Sequence, residues 1–387
     1  MVETWWVTTR QLAAELSPIV PSSSATLEHG RPIADTCGSP PVKLELLPID
    51  VSGLAAWEEE WRELEHKATD NSVYTSYDWL QAWAKIYKPR KLLLAHAVEP
   101  DDGTTASLGL IEVDRVGGWR FAGGLISPCR APLCAAGRGE AVWRALAAWL
   151  QANPRAWSTV EACEVGETAQ AIPGARLETR ITPCLTLPSS FDDHLASLSA
   201  KQRHEARRRL RRTQEAGVEV SRVPSGAVDG ALADLLRLHH RRADIKGMNT
   251  NLDGRLVQML RGISTSSSIE LRVFEVLSKG ERVGVSVDLA YGGVSYPYVL
   301  GWDPRTSNLA PGILLALNAI TASLQEGLHA IDLGPGDQTY KLALGFVPES
   351  RFVLEATNPS PWGHALRAAG TTYARLRSRS TRLVTSR

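Results

Sequence analysis

Residues 281–346 read ERVGVSVDLAYGGVSYPYVLGWDPRTSNLAPGILLALNAITASLQEGLHAIDLGPGDQTYKLALGF, and their reading decides the fold. Two strand-like runs, Val283–Ala290 and Val294–Gly301, are parted by Tyr291-Gly292-Gly293. Glycines there permit the positive φ of a tight turn, so the runs form a hairpin. A turn-rich link from Trp302 to Asn308 leads to Leu309-Ala310-Pro311-Gly312. After it, Ile313, Leu314, Leu317, Ile320 and Leu324 recur at helical spacing. The spacing predicts a helix over 311–326, opening on a proline, which a first turn tolerates. Gly327 stops it, Ala330–Leu333 reads as a short buried strand, and Gly334-Pro335-Gly336-Asp337 turns the chain into Tyr340-Lys341.

Glycine at 312, just inside a helix start, leaves room for a ligand to approach the free N–H groups, which with the helix dipole form a seat for phosphate. The plain alternative is a tidy helix entry. Leu309, Ala310, Pro311, Gly312, Ile313 and Leu314 become the cofactor-binding candidates with the help of a family resemblance carried by this stretch and the one after it.

The strand–strand–helix–strand order, with Pro311-Gly312-Ile313-Leu314-Leu315 and then Asp332-Leu333-Gly334-Pro335-Gly336-Asp337-Gln338-Thr339-Tyr340-Lys341, resembles the C-terminal half of the GNAT acyltransferase superfamily. The likeness is to its branch named after CelD-type cellulose-biosynthesis proteins. That branch is related to Fem-type peptidyl ligases, which also pair two GNAT-like folds. The resemblance implies direct acyl transfer from a thioester, usually acetyl-CoA, to an amine or hydroxyl. For the Fem-type relatives it implies aminoacyl-tRNA as the acyl source.

The totals narrow the classes. A chain of 387 residues is long enough for two or three domains. Lys+Arg 43 against Asp+Glu 42 leaves a net charge of +1, so no global field announces nucleic acid or an acidic membrane. Five scattered cysteines, Cys37, Cys129, Cys134, Cys163 and Cys184, form no C-x-x-C pair, which favours reduced packed thiols over a disulfide framework or a metal site. No apolar run approaches the ~20 residues that span a bilayer, and the N-terminus lacks a signal-peptide pattern, so a cytoplasmic protein with no membrane contact is expected. The oligomeric state cannot be read.

Residues 1–41 combine a short helical pattern, Thr8–Leu16, with Pro/Ser/Gly-rich segments and read as a mobile leader. From Val42 a strand, an amphipathic helix over 54–68 and a helix ended before Pro89 lead to strands at 91–98 and 107–116. A helix over 140–152 and a strand at 158–165 follow. Ser76 and Asp78 are the candidate caps of the helix before Pro89, and Tyr74, Tyr77 and Trp79 belong to its core or to a cleft. This order repeats in the second half, so the expected fold is α/β (α+β), two tandem GNAT-like folds, each a mixed twisted sheet flanked by helices. The expected domains are a degenerate copy over 42–176 and a GNAT domain over 177–360 with a basic helical insertion over 190–265. A basic helix or tail covers 361–387. The first copy lacks a Pro-Gly helix entry and is expected to supply a wall.

The insertion reads as one helix from Pro188 to Gly217, carrying seven cations against Glu205 within 201–212. Helices over 227–246 and 253–263 and a strand over 267–277 follow. For the general base, Asp288 and Asp332 are the carboxylates whose burial would raise their pKa toward working pH, and His239 titrates near neutrality without help. Tyr298 or Tyr340 would protonate the leaving thiolate, and Lys341 would bind phosphate or a carboxylate. A structural alternative has Asp332, Tyr340 and Lys341 only tie a loop. Arg203 and Arg207, one turn apart, share a helix face and join Arg242, Trp302 and Asp337 as substrate-binding candidates. The function expected is an acyl-CoA-dependent N- or O-acyltransferase acting on a small molecule or saccharide, with no metal. The alternatives are an aminoacyl-tRNA-dependent transferase that meets tRNA through Lys201–Arg212, and a non-catalytic GNAT scaffold.

Overall fold

In a computed structural model of the chain, residues 40–368 other than 246, 248, 249, 251, 337 and 338 are described. Residues 1–39 of the leader with its 8–16 helical pattern, Asp337, and 369–387 of the expected tail therefore lie outside the described residues. The first half runs β1 (Lys43–Ile49), α1 (Glu58–Lys67), α2 (Tyr77–Tyr87), β2 (Leu92–Val98), β3 (Thr105–Val113), β4 (Gly118–Phe121), β5 (Leu133–Cys134), α3 (Gly139–Ala152), β6 (Thr159–Val165) and β7 (Ala175–Thr186). The second half runs α4 (Phe191–Ser197), α5 (Ala200–Glu215), β8 (Val218–Arg222), α6 (Val228–Ile245), α7 (Gly254–Ile263), β9 (Glu270–Ser278), β10 (Glu281–Tyr291), β11 (Val294–Trp302), α8 (Pro311–Gln325), β12 (Ala330–Asp332), α9 (Thr339–Ala343) and β13 (Val347–Thr357). Residues 361–368 are helical.

Local chemistry explains the boundaries. Ser76 caps α2 by accepting from the Trp79 N–H, and that helix buries Tyr77, Trp79, Leu80 and Trp83. Gly292 and Gly293, at φ 57° and 77°, turn β10 back into β11. The single basic helix expected over 188–217 is two. Leu198 is extended, and Ser199 starts α5 afresh with a capping box to Gln202.

The strands form one 13-stranded sheet in the order β1-β2-β3-β4-β6-β13-β7-β12-β11-β10-β9-β8, with β5 beside β3. The two halves exchange strands within it. β13, from the end of the second half, lies antiparallel between β6 and β7, and β7, from the end of the first, lies antiparallel beside β12. Leu354 and Ala356 of β13 are buried with Trp119, Phe121, Leu150 and Trp157 of the first half. The core of that half is thus closed by a strand that the linear order of the sequence places elsewhere.

In each half one parallel pairing is short. β11 and β12 pair only at Val294↔Ala330 and Ser295↔Ile331, after which β11 runs on to Trp302 while β12 ends at Asp332. The strands part there into a wedge. In the first half β4 and β6 pair at three positions, and a loop then bridges back to β6 through reciprocal Arg130–Cys163 backbone bonds of 3.1 and 2.9 Å. Only the second wedge is left unbridged among the described residues. Along its wall the β10 pairing steps from Val287↔Val299 to Asp288↔Pro297, so Tyr298 is an extra, bulged residue.

Candidate active site

α8 is apolar nearly all round and buried, with Leu314, Leu317 and Ile320 nearly inaccessible, so tertiary packing rather than amphipathicity holds it. Its entry is unusual. Ala310 adopts a left-handed conformation, φ 49°, no side chain caps the start, and Pro311 has no N–H to satisfy. A Cβ at Gly312 would meet nothing nearer than Trp302 Nε1 at 4.0 Å, so the glycine opens space instead of relieving a clash. Facing this start is a cavity of about 140 Å³ lined by Asn308, Leu309, Ala310, Ile313 and Leu314 and, from α5, by Glu205, Arg208, Arg209, Arg212 and Thr213. Glu205 pairs with Arg208 at 2.7 Å and Arg209 at 2.8 Å, which holds both guanidiniums toward the helix start. The face of α5 that the fold turns inward is therefore not the one carrying Arg203 and Arg207. Arg203 folds back onto the Ala196 carbonyl at 3.1 Å, and Arg207 is exposed.

The mouth of the wedge gathers four of the expected residues, Arg242, Trp302, Tyr340 and His239. The Arg242 guanidinium stacks 5.3 Å from the Trp302 ring centre, and its buried Nε has no hydrogen-bond partner. Burial lowers its pKa and the nearby Tyr340 hydroxyl opposes that; the Tyr340 phenol is itself raised by burial. His239 lies one turn earlier on α6, its Nδ1 3.2 Å from the Leu300 carbonyl, which can only accept. That bond fixes the proton on Nδ1, and burial keeps the imidazole neutral by lowering its pKa. α6 approaches β11 closely because residue 301 is glycine. A Cβ there would stand 2.6 Å from the Leu235 carbonyl oxygen.

At the inner end of the wedge Asp332 accepts from the Gly334 N–H at 2.7 Å and from Arg351 Nη1 at 2.9 Å. The same Nη1 lies 2.7 Å from Glu164, whose oxygens also accept from Thr182 Oγ1 at 3.2 Å. Tyr296 and Tyr74 pack edge to face nearby, with Cys129 in the same buried cluster; burial pushes all three pKa values up, followed by the Asp332 charge for Tyr296, Tyr298 for Tyr74 and Glu164 for Cys129. Lys341 is buried, and its Nζ donates to the carbonyls of Leu333, Gly334 and Gly336 at 3.3, 3.3 and 3.4 Å. It shapes the loop after β12. Two other expected residues stand apart from the wedge's polar groups. Tyr298 donates to the Ile126 carbonyl at 2.8 Å and packs on Trp79, which places it in the seam between the halves. Asp288 is 1% exposed, paired across strands with Arg272 in a network that runs through Arg272 to Glu326 at the far end of α8. Sequence reasoning missed Glu164 and Arg351. Neither sits in a motif, and β13 carries no strong strand signal in VPESRFVLEAT.

Residues 200–342 match the acetyltransferase (GNAT) domain family. That part of the chain is a GNAT domain. Among solved structures the chain is similar to FemX, at 11% identity over 81% of this chain and 98% of that one, with a TM-score of 0.53. It is also similar to the C-terminal domain of an Agrobacterium fabrum protein named for lysylphosphatidylglycerol synthetase, at 12% identity over 82% and 96% and a TM-score of 0.50. A tandem GNAT protein from the clavulanic acid biosynthesis pathway aligns at 14% identity over 82% and 99%, with a TM-score of 0.45. No curated protein matches the chain. No helix among the described residues is long and apolar enough to cross a membrane.

Proposed function

We propose that the chain transfers an acyl group from an acyl-CoA, with acetyl-CoA the simplest donor, to an amine or hydroxyl of a small molecule or saccharide. The observation that carries this reading is the uncapped start of α8 with Arg208, Arg209 and Arg212 beside it, opening beside Trp302 at the mouth of the wedge. The Gly312 N–H, the positive end of the helix dipole and the guanidiniums there suit a pyrophosphate. An extended pantetheine arm would lie along the unpaired edge of β11, its amides meeting strand N–H and C=O groups that no neighbouring strand uses.

In the transfer, the acceptor nitrogen or oxygen bonds to the thioester carbonyl carbon and loses its proton. Collapse of the intermediate breaks the C–S bond, and the thiolate takes up a proton. Asp332 is the base in this reading, since its oxygens retain lone pairs beyond the bonds to Gly334 and Arg351. Tyr340 is the acid, and Arg242 orients its hydroxyl. Titration calorimetry with acetyl-CoA tests the donor: saturable heat at micromolar protein is expected, and heat equal to that of dilution would exclude it.

One observation favours aminoacyl-tRNA as a second donor reading. Lys201, His204, Arg207 and Arg211 are exposed and form a stripe along the outer face of α5. That reading expects charged tRNA to be retained with a steep salt dependence, which R207A and R211A would reduce.

A further inference from the structure

Glu164 stands in the first half, yet its backbone is distorted in a way that serves the second. The β6–β13 register steps from Phe352↔Val165 to Val353↔Cys163, leaving Glu164 as the bulged residue, and its φ is +62°. A non-glycine residue held there is strained, and such strain persists only where surrounding contacts over-determine it. The contacts are visible. The side chain is 3% exposed and is gripped by Arg351 and Thr182 from two successive strands. Arg351 in turn holds Asp332. One guanidinium thus bridges a carboxylate from each half, within the strands that the halves exchange.

We propose that Glu164 is a positioning residue for Asp332, acting through Arg351, so that the reactive end of the wedge is incomplete without the first half. The inference rests on the acyl-transfer reading for its kinetic consequence, not for its geometry. Arg351 donates to Asp332 and Glu164 through one nitrogen, so the second carboxylate helps to fix where that nitrogen stands against the first. The two-point grip fixes the guanidinium, and with it the orientation of the Asp332 carboxylate. The groups facing the pair from every packed element are Arg351 and Glu349 of β13, Arg180 and Cys184 of β7, Cys129 of the loop before β5, Tyr296 of β11 and Tyr74 before α2. Arg351 is the cation that touches both carboxylates. Burial raises the Glu164 pKa, Arg351 opposes that, and Asp332 adds to the rise.

Two measurements test this on the full chain. In carbon-13 NMR with labelled glutamate carboxyls, the Glu164 titration is expected above the ordinary glutamate range in the native protein and nearer to it in D332N. A Glu164 titration indifferent to D332N overturns the proposal whatever the donor. In acetyl-CoA turnover, E164Q is expected to lower kcat about 10- to 100-fold with donor affinity unchanged and to be partly rescued in E164D. An unchanged kcat with only a lower Tm reduces Glu164 to a structural ion pair. If the native protein takes up no acetyl-CoA by calorimetry, the donor reading has failed and the NMR result alone decides.

Discussion

The Asp288 carboxylate lies 4.0 Å from the Arg272 guanidinium, and neither side chain is more than 1% exposed. Arg272 spends its hydrogen bonds on Glu326 and Ser295, so the charge beside Asp288 is already engaged elsewhere. Burial is the largest influence on Asp288 and raises its pKa to about 7; Arg272 only partly opposes it.

A pH dependence follows. The folded chain holds a proton on Asp288 that the unfolded chain releases near the ordinary aspartate value. The resulting stability is fully present below about pH 4 and is lost as pH rises through about 7. Thermal unfolding of the native protein and D288N, followed between pH 4 and 8, should show a fall in Tm with rising pH that the variant lacks. Parallel curves would mean that Asp288 ionises freely in the fold.

The inward and outward faces of α5 should separate in donor binding. R212A is expected to weaken acetyl-CoA about 5- to 20-fold, the size of a partly solvated charge-assisted bond, whereas R207A leaves it within about twofold. Calorimetry at two salt concentrations checks both, and equal losses would show that α5 acts only through its general field.

Asp332 and Lys341, neighbours in one motif, should fail in different ways. D332N is expected to keep its donor affinity and lose about 10²- to 10⁴-fold in kcat, the range of a general base. K341A leaves three carbonyls without their buried partner and should cost about 1–3 kcal/mol of stability, read by denaturant unfolding. A K341A protein of native stability that has lost turnover would return the lysine to the chemistry.

The exchanged strand makes a prediction about the core. Leu354 is fully buried among first-half residues, so L354A should destabilise the protein by about 2–5 kcal/mol. Loss of the near-ultraviolet signal from Trp119, Trp143 and Trp157, which share that cluster, should accompany unfolding.

Much of the architecture was legible because its signals are local. The hairpin Glu281–Tyr291/Val294–Trp302 announces itself by alternation and two glycines, and α8 by its apolar spacing. The break at Ser199 was also local, a capping box in S-x-x-Q that the run of arginines conceals. The partnerships across the seam were not legible. Nothing in VPESRFVLEAT says that it inserts between β6 and β7, since pairing between distant strands is decided by the shape left for them. The Glu164–Arg351–Asp332 grouping depends on that insertion and on a one-residue bulge. The sequence shows Asp332 and Tyr340 eight residues apart, but not that one reaches the seam while the other meets Arg242.

The insertion of β13 between β6 and β7 also bears on how the molecule is made. During synthesis the residues through Val165 are made long before Val347, so the edge of β6 that pairs with β13 has no partner strand until β13 has been made. Neither half is a module that could be cut out and kept: a break anywhere between β7 and β13 parts the single sheet from the strand that lies between β6 and β7.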